Sequence, residues 1–255
     1  MDPRLPTHFG HGYKSPSQKA RRITEPWGAG YLYCCACPSD RLNPEKANAQ
    51  VSDFLCPDCV ERYQLKSQSK KLGGRILGSN YQKMVDAILG NRSPNFFLLH
   101  YQIPEWIVRN LLVIPRFAIS PSVIIERKPL SASARRSNWT GYVLDVGLIP
   151  ESAKIPLVVE GTEIPRRVVR DQYARIAKIQ ALKPEQRGWT LDVLRCVESL
   201  PNEVFTNDDI YAFEPELAKL YPGNHHIQPK IRQQLQVLRD RGFLKPLKPG
   251  HWQRL

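Results

Sequence analysis

No stretch of this chain comes near the roughly 20 consecutive apolar residues that a bilayer-spanning helix needs. A membrane-spanning helical class is excluded on that ground, and a soluble protein is expected. The opening residues, MDPRLPTHFGHG, carry proline and histidine where a secretory leader needs an apolar run. Export is therefore not expected, and a cytoplasmic protein with reduced thiols is. Those first dozen residues read as disordered. Internal repeats and low-complexity tracts are also missing, so no tandem array is built here. Acidic residues are in short supply: 24 Asp and Glu face 37 Lys and Arg, a net charge of +13. That imbalance implies a polyanionic partner, because cations placed near phosphates release condensed counterions. Nucleic acid is the first candidate, with a ribosome-associated role or a merely basic surface as plainer readings.

What is present divides into two parts. At 255 residues the chain is long enough for two cores, and the expected domains are 1–183 and 184–255. In the first, YKSPSQKARRI reads as a basic lead into a short helix ended by Pro26. Ser79 is read as the cap of a helix over NYQKMVDAILG, with Tyr81, Met84, Val85, Ile88 and Leu89 on one face and Gly90 at its end. The dense apolar runs NFFLLHY and NLLVIP, bounded by turn residues, predict buried strands in the middle of a sheet. GYVLDV and IPLVVEG add further strands. The spacing of Val169, Tyr173, Ile176 and Ile179 predicts a helix from Arg166 to Leu182, broken by KPEQRGW. The fold class is α/β with a mixed sheet.

In the second part, TLDVLRCVESL, TNDDIYAFEPELAKL and IQPKIRQQLQVLRDRGF predict three helices, the second capped by Thr206 and the third closed by Gly242. FLKPLK and HWQRL flank a Pro-Gly turn and predict a hairpin. This is the layout of a winged helix, whose third helix enters the major groove. Ile227, Ile231, Leu235 and Leu238 share its inner face. Gln228, Lys230, Arg232, Gln233 and Gln236 are left for phosphates and base edges. The plainer reading is a solvated polar face on a helical bundle.

Cys34-x-x-Cys37 and Cys56-x-x-Cys59 stand 18 residues apart, a spacing suited to a structural zinc held by four thiolates. Cys35 and Cys196 are left over and read as packed residues. Around the second pair lies SDFLCPDCVERYQLKSQSK. Asp53, ten residues and then Gln64-Leu65-Lys66 resemble the D…(D/E)xK pattern of metal-dependent nucleases. Period two puts Gln64 and Lys66 on one face and turns Leu65 to the core, while the turn brings Asp53 opposite them. Asp53 and the Leu65 carbonyl can offer oxygen to magnesium, and Lys66 an ammonium for the attacking water or the phosphoryl charge. Taken alone the signal is weak, and a charged surface hairpin is the commoner source of that spacing.

Longer segments carry a resemblance. Through YKSPSQKAR, DFLCPDC, LKS, SPNFFLLHY, ERKPLSASARRSNW, RGWTLDVL and KIRQQLQVLRD, the chain from about Tyr13 onward resembles the DpnI type of restriction endonuclease. The resemblance implies a zinc-containing D…(D/E)xK nuclease domain followed by a winged helix. It also implies a magnesium-dependent type II enzyme in a prokaryotic cytoplasm, a monomer without DNA, that cuts double-stranded DNA at GATC carrying N6-methyladenine. On matching positions the metal-binding acid is Asp53 and the lysine Lys66. Trp139 matches a tryptophan near the methyl groups, with Arg135 and Arg136 beside it to hold phosphates or guanine. One position departs: the family's glutamate is Gln64 here, a weaker ligand for a hard cation. Either Gln64 coordinates through its amide oxygen, or an acid such as Glu61 takes over, or the protein binds methyladenine DNA without cutting. The first is preferred. Glu25 stays unassigned because Pro26 is read as ending its helix. A zinc-ribbon transcription regulator is a third reading, in which Asp53 and Lys66 have no task.

Overall fold

The computed structural model describes residues 1–45, 52–72, 74–129 and 139–255. Helix α1 (Pro16–Tyr31) is followed by strands β1 (Asn43–Pro44), β2 (Phe54–Leu55), β3 (Arg62–Gln68) and β4 (Arg75–Gly78), then by helix α2 (Tyr81–Leu89). Strands β5 (Asn95–Gln102), β6 (Ile107–Ile114), β7 (Ile124–Glu126), β8 (Tyr142–Asp145), β9 (Ile155–Val159) and β10 (Thr162–Glu163) lead to helix α3 (Arg166–Ala177). The main sheet has seven strands in the order β1-β2-β3-β5-β6-β9-β10, and β4-β8-β7 form a second, smaller sheet. β3 and β5 run parallel while β5 and β6 are antiparallel, so the main sheet is mixed. NFFLLHY and NLLVIP occupy β5 and β6 in its middle, where Phe96, Phe97, Leu98, Leu99, Leu111 and Val113 are fully buried. A run apolar on both faces is what a doubly covered strand requires.

Several expectations are corrected. Residues 3–5 are ordered: the Val108 N–H donates to the Pro3 carbonyl at 2.8 Å, the Leu5 N–H to the Trp106 carbonyl at 2.8 Å, and Leu5 is buried. Helix α1 does not stop at Pro26 but runs through it. An interior proline costs about 3 kcal/mol, yet burying one large apolar side chain returns about 1.5–3, and α1 buries Ile23 and Trp27 on one face. The Arg22 carbonyl that loses its helical partner belongs to an exposed residue. Gly28 lets the helix lie close, since a Cβ there would stand 2.9 Å from Phe54 and 3.3 Å from Leu65. Asn80, not Ser79, caps α2, its side chain accepting from the Lys83 N–H at 2.8 Å. Leu89, expected on the inner face of α2, is 49% exposed. α3 ends at Ala177, short of Leu182.

KPEQRGW does not break a helix; it begins one. Pro184 takes the first position of α4 (Pro184–Ser199), where its missing N–H is no loss. β11 (Val204–Thr206) follows, then α5 (Asn207–Tyr211) and α6 (Glu214–Leu220), two short helices where one was expected. Thr206 caps α5 with Asp209 in a reciprocal capping box. α7 (Ile227–Asp240) and the hairpin of β12 (Leu244–Lys248) and β13 (His251–Arg254) complete the winged helix, with β11 added to β13. Gly250 turns the hairpin at φ 73°. Buried side chains of both parts join one apolar cluster.

Candidate functional site

The four cysteines of the two Cys-x-x-Cys pairs come together. Their sulfurs all lie within 4.8 Å of one another, with Cys34 to Cys59 at 3.5 Å and Cys37 to Cys56 at 3.6 Å. A tetrahedral zinc bound at 2.3 Å asks for sulfurs about 3.8 Å apart, so the cluster fits that ion. Its surroundings hold it in place. The Arg170 guanidinium of α3 donates to the carbonyls of Cys34 and Ser39, at 3.3 and 3.0 Å. The Tyr63 hydroxyl accepts from the Cys35 N–H at 3.1 Å and lies 3.2 Å from Cys34 Sγ, to which it can donate. Burial pushes the Cys34 thiol up to about 11, a penalty that a bound cation would remove. Cys35 and Cys196 are buried outside the cluster.

Cys56 and Cys59 stand in the turn between β2 and β3, so the same hairpin that carries two sulfurs also carries Asp53, Gln64, Leu65 and Lys66. Its register pairs Phe54 with Tyr63 and Leu55 with Arg62, and Asp53 directly precedes the first of these pairs. The Asp53 N–H donates to the Tyr63 carbonyl at 2.9 Å, and Asp53 Oδ2 accepts from the Leu65 N–H at 2.9 Å. A carboxylate thus stands where the neighbouring strand would continue. In an extended strand a residue's N–H and C=O share an edge, so the Leu65 carbonyl lies on the Asp53 side. Gln64 and Lys66 share one face of β3 by alternation. The Gln64 amide oxygen is buried without a hydrogen-bond partner, a state that normally costs about 1–3 kcal/mol. A hard cation between Asp53, the Leu65 carbonyl and Gln64 would satisfy it, and the donor set of oxygens suits magnesium.

The charges around this point were only partly legible in the sequence. Burial raises the Asp53 pKa; the Leu65 N–H opposes, the charge of Glu25 adds to the rise, and Lys66 and Arg21 oppose it. Burial lowers the Lys66 pKa, with Asp53 resisting and Arg21 assisting. Glu25 and Arg21 therefore act on the hairpin from α1, where Arg21 Nε holds Glu25 Oε1 at 2.6 Å. The apolar pair Ile23 and Trp27, four residues apart, would have revealed a helix continuing past Pro26. Glu61 is committed elsewhere: Arg116 Nε approaches its two oxygens at 3.1 and 3.0 Å, and Asn95 Nδ2 donates to it at 2.9 Å. It is no substitute for the missing carboxylate.

Of the residues expected at DNA, Arg135 and Arg136 lie outside the described residues. Trp139 is half-buried, its ring beside Gly141 at the start of β8. On α7, Ile227, Ile231, Leu235 and Leu238 are buried and Gln228, Arg232, Gln233 and Gln236 are exposed, as their spacing predicts. Lys230 is half-buried, 5.9 Å above the Trp189 ring, and donates to Gln233 at 2.8 Å. Gln228 donates to Glu214 at 2.8 Å. No helix among the described residues is long and apolar enough to cross a membrane.

A family model described as the Dam-replacing family, of the DpnI type, matches residues 1–183. A second, described as the Dam-replacing HTH domain, matches residues 185–254. The chain belongs to this family of restriction proteins, and its C-terminal part is a DNA-binding class of domain.

Proposed function

We propose, with that membership as premise, that the protein is a methyl-directed type II endonuclease that hydrolyses both strands of DNA at GATC sites bearing N6-methyladenine. Residues 1–183 cut, and both they and residues 184–255 read the methylated sequence. The observation that supports this best is the Asp53 carboxylate bonded to the N–H of Leu65, the residue between Gln64 and Lys66, with the buried Gln64 amide oxygen left without a partner. Asp53, Gln64 and the Leu65 carbonyl would hold magnesium, which when bound supplies charge neutralisation at the pentavalent phosphate and a more acidic water. Glu25, held by Arg21, adds the negative charge that the amide at position 64 does not provide. Lys66 stands where an ammonium can orient the water or share phosphoryl charge, and its lowered pKa makes it the readier to exchange a proton. Trp139 offers an aromatic surface to methyl groups in the major groove, with Arg135 and Arg136 nearby in sequence. Gln228, Lys230, Arg232 and Gln233 of α7 take phosphates and base edges. The four cysteines bind structural zinc, and the protein is a monomer without DNA.

Digestion of fully methylated, half-methylated and unmethylated duplexes, with and without magnesium, tests this. Incision confined to methylated duplex, dependent on magnesium and abolished in Lys66→Ala, is the expected result. Equal digestion of methylated and unmethylated duplexes rules out methyl direction. Gln64 favours a second reading, a methyladenine-DNA-binding protein with a degenerate centre. If the wild type binds but never cuts, and Gln64→Glu restores cutting, that reading prevails.

A further inference from the structure

Beyond Lys66 the chain continues into a groove that none of the roles above uses. It encloses about 710 Å³ between the first turn of α1, at Pro16, Ser17 and Ala20, and the segment 67–71, with Tyr101 and Arg75 also lining it. Its chemistry is one-sided. Ser17, Ser67, Ser69 and Tyr101 contribute hydroxyls, Lys70, Lys71 and Arg75 contribute cations, and among the described residues no carboxylate lines it. Gln68 folds the chain here, its amide donating to the carbonyls of Lys70 and Lys71 at 3.2 and 2.8 Å, and both lysines are exposed. Arg75 stands 3.6 Å from Asp145 but its side chain is 74% exposed, leaving donors free for an incoming anion.

We infer that this groove holds the sugar-phosphate backbone of the DNA strand being cut, on one side of the scissile phosphate. The inference rests on the nuclease reading and adds to it a track for the substrate. Three cations with four hydroxyls suit successive phosphates and deoxyriboses, whereas a neutral ligand would leave the cations unused. The wall of Pro16 and Ala20 is apolar, as the faces of a sugar require. Continuity fixes the direction: the groove opens one residue past Lys66. Thr24 Oγ1, 3.1 Å from Ser67 Oγ, ties the α1 wall to this segment.

The test compares wild type with Lys70→Ala/Lys71→Ala/Arg75→Ala in binding a methylated duplex without magnesium. Duplexes carrying neutral methylphosphonates at each of the four phosphates on either side of the cut are the probes. The expected result is a salt dependence of log affinity shallower by about 2–3 in the variant, about 0.9 for each phosphate that the removed cations no longer neutralise. Neutral phosphates on one side should weaken wild type at least tenfold and the variant little. Zinc content and far-ultraviolet dichroism equal to wild type establish that the variant is folded; a single Lys71→Ala, expected to lower the slope by about 0.9, replaces it if it is not. An unchanged slope, or neutral phosphates that weaken both proteins equally, overturns the inference. If wild type cuts methylated duplex but shows no such coupling, only the groove assignment fails. If it neither binds nor cuts, the nuclease reading fails with it.

Discussion

Asp53 is a carboxylate held against its own ionisation by burial and by the charge of Glu25. The raised pKa has a signed consequence. Relative to the unfolded chain, the ionised form is disfavoured in the fold, so the penalty is fully present above the raised value and is lifted as pH falls through it. Asp53→Asn keeps an oxygen that can accept the Leu65 N–H but carries no charge. Without added divalent cation it should therefore unfold at higher temperature than wild type at pH 7, with the gap closing at acid pH. Magnesium should raise the wild-type midpoint and leave the variant's unchanged, while cutting falls by about a thousandfold or more. Scanning calorimetry over pH, with and without magnesium, measures the first two effects and plasmid incision the third. Asp53, Gln64 and Lys66 were legible because they are neighbours on one hairpin, where period two fixes which residues share a face. Glu25 and Arg21 were not, since their reach to Asp53 depends on how closely α1 packs on β3.

β3 performs three tasks along seven residues: Tyr63 supports the sulfur cluster, Gln64 to Lys66 form the candidate centre, and Ser67 opens the groove. Tyr63 joins the first two, because its hydroxyl meets Cys34 while its carbonyl receives the Asp53 N–H. Tyr63→Phe removes the hydroxyl and keeps the ring, which stacks on Phe97 with centroids 5.0 Å apart. Zinc affinity should fall roughly 10–100-fold, as for other hydrogen bonds to metal ligands, which competition with a chromophoric chelator measures. Unchanged affinity means that the hydroxyl does not support the sulfur. The elements best legible in sequence were β5 and β6, whose apolar runs allow no other placement, and α7, whose stripe is regular. α1 and α4 were misread at prolines. A local rule is overridden in α1 by the burial of Trp27, and in α4 the rule itself favours a start. β11 carries no sequence signal because β13 supplies its hydrogen bonds.

The two parts of the molecule meet through buried polar contacts. Asp192 of α4 is 1% exposed, accepts from the Tyr221 hydroxyl at 2.6 Å, and lies 3.3 Å from the Ser122 hydroxyl of the N-terminal part. Burial pushes its pKa up to about 6, against which the Tyr221 bond and the charge of Arg195 act. Ionised Asp192 thus opposes the folded state above about pH 6, and protonation relieves it between 6 and the ordinary carboxylate range. The two values differ by on the order of 3 kcal/mol. Lowering pH from 7.5 to 5.5 should stabilise the wild type through this group, and Asp192→Asn should lose that part of the dependence. Urea midpoints followed by tryptophan fluorescence read it, Trp189 contributing to the signal where its ring stacks on Tyr221 with centroids 3.7 Å apart. A difference between the two proteins that stays constant over this range would remove Asp192 from the account.

A second seam runs beside it. Arg187 of α4, 3% exposed, donates to Asn91 Oδ1 at 3.3 Å; Arg116 donates to the same oxygen at 3.0 Å and grips Glu61, whose carbonyl receives the Cys56 N–H. The two parts are thus not beads on a string. A chimera that exchanges everything after residue 183 keeps this contact only where the incoming piece places an arginine at the position of Arg187. The joint between the two parts depends on a contact that neither half displays in isolation.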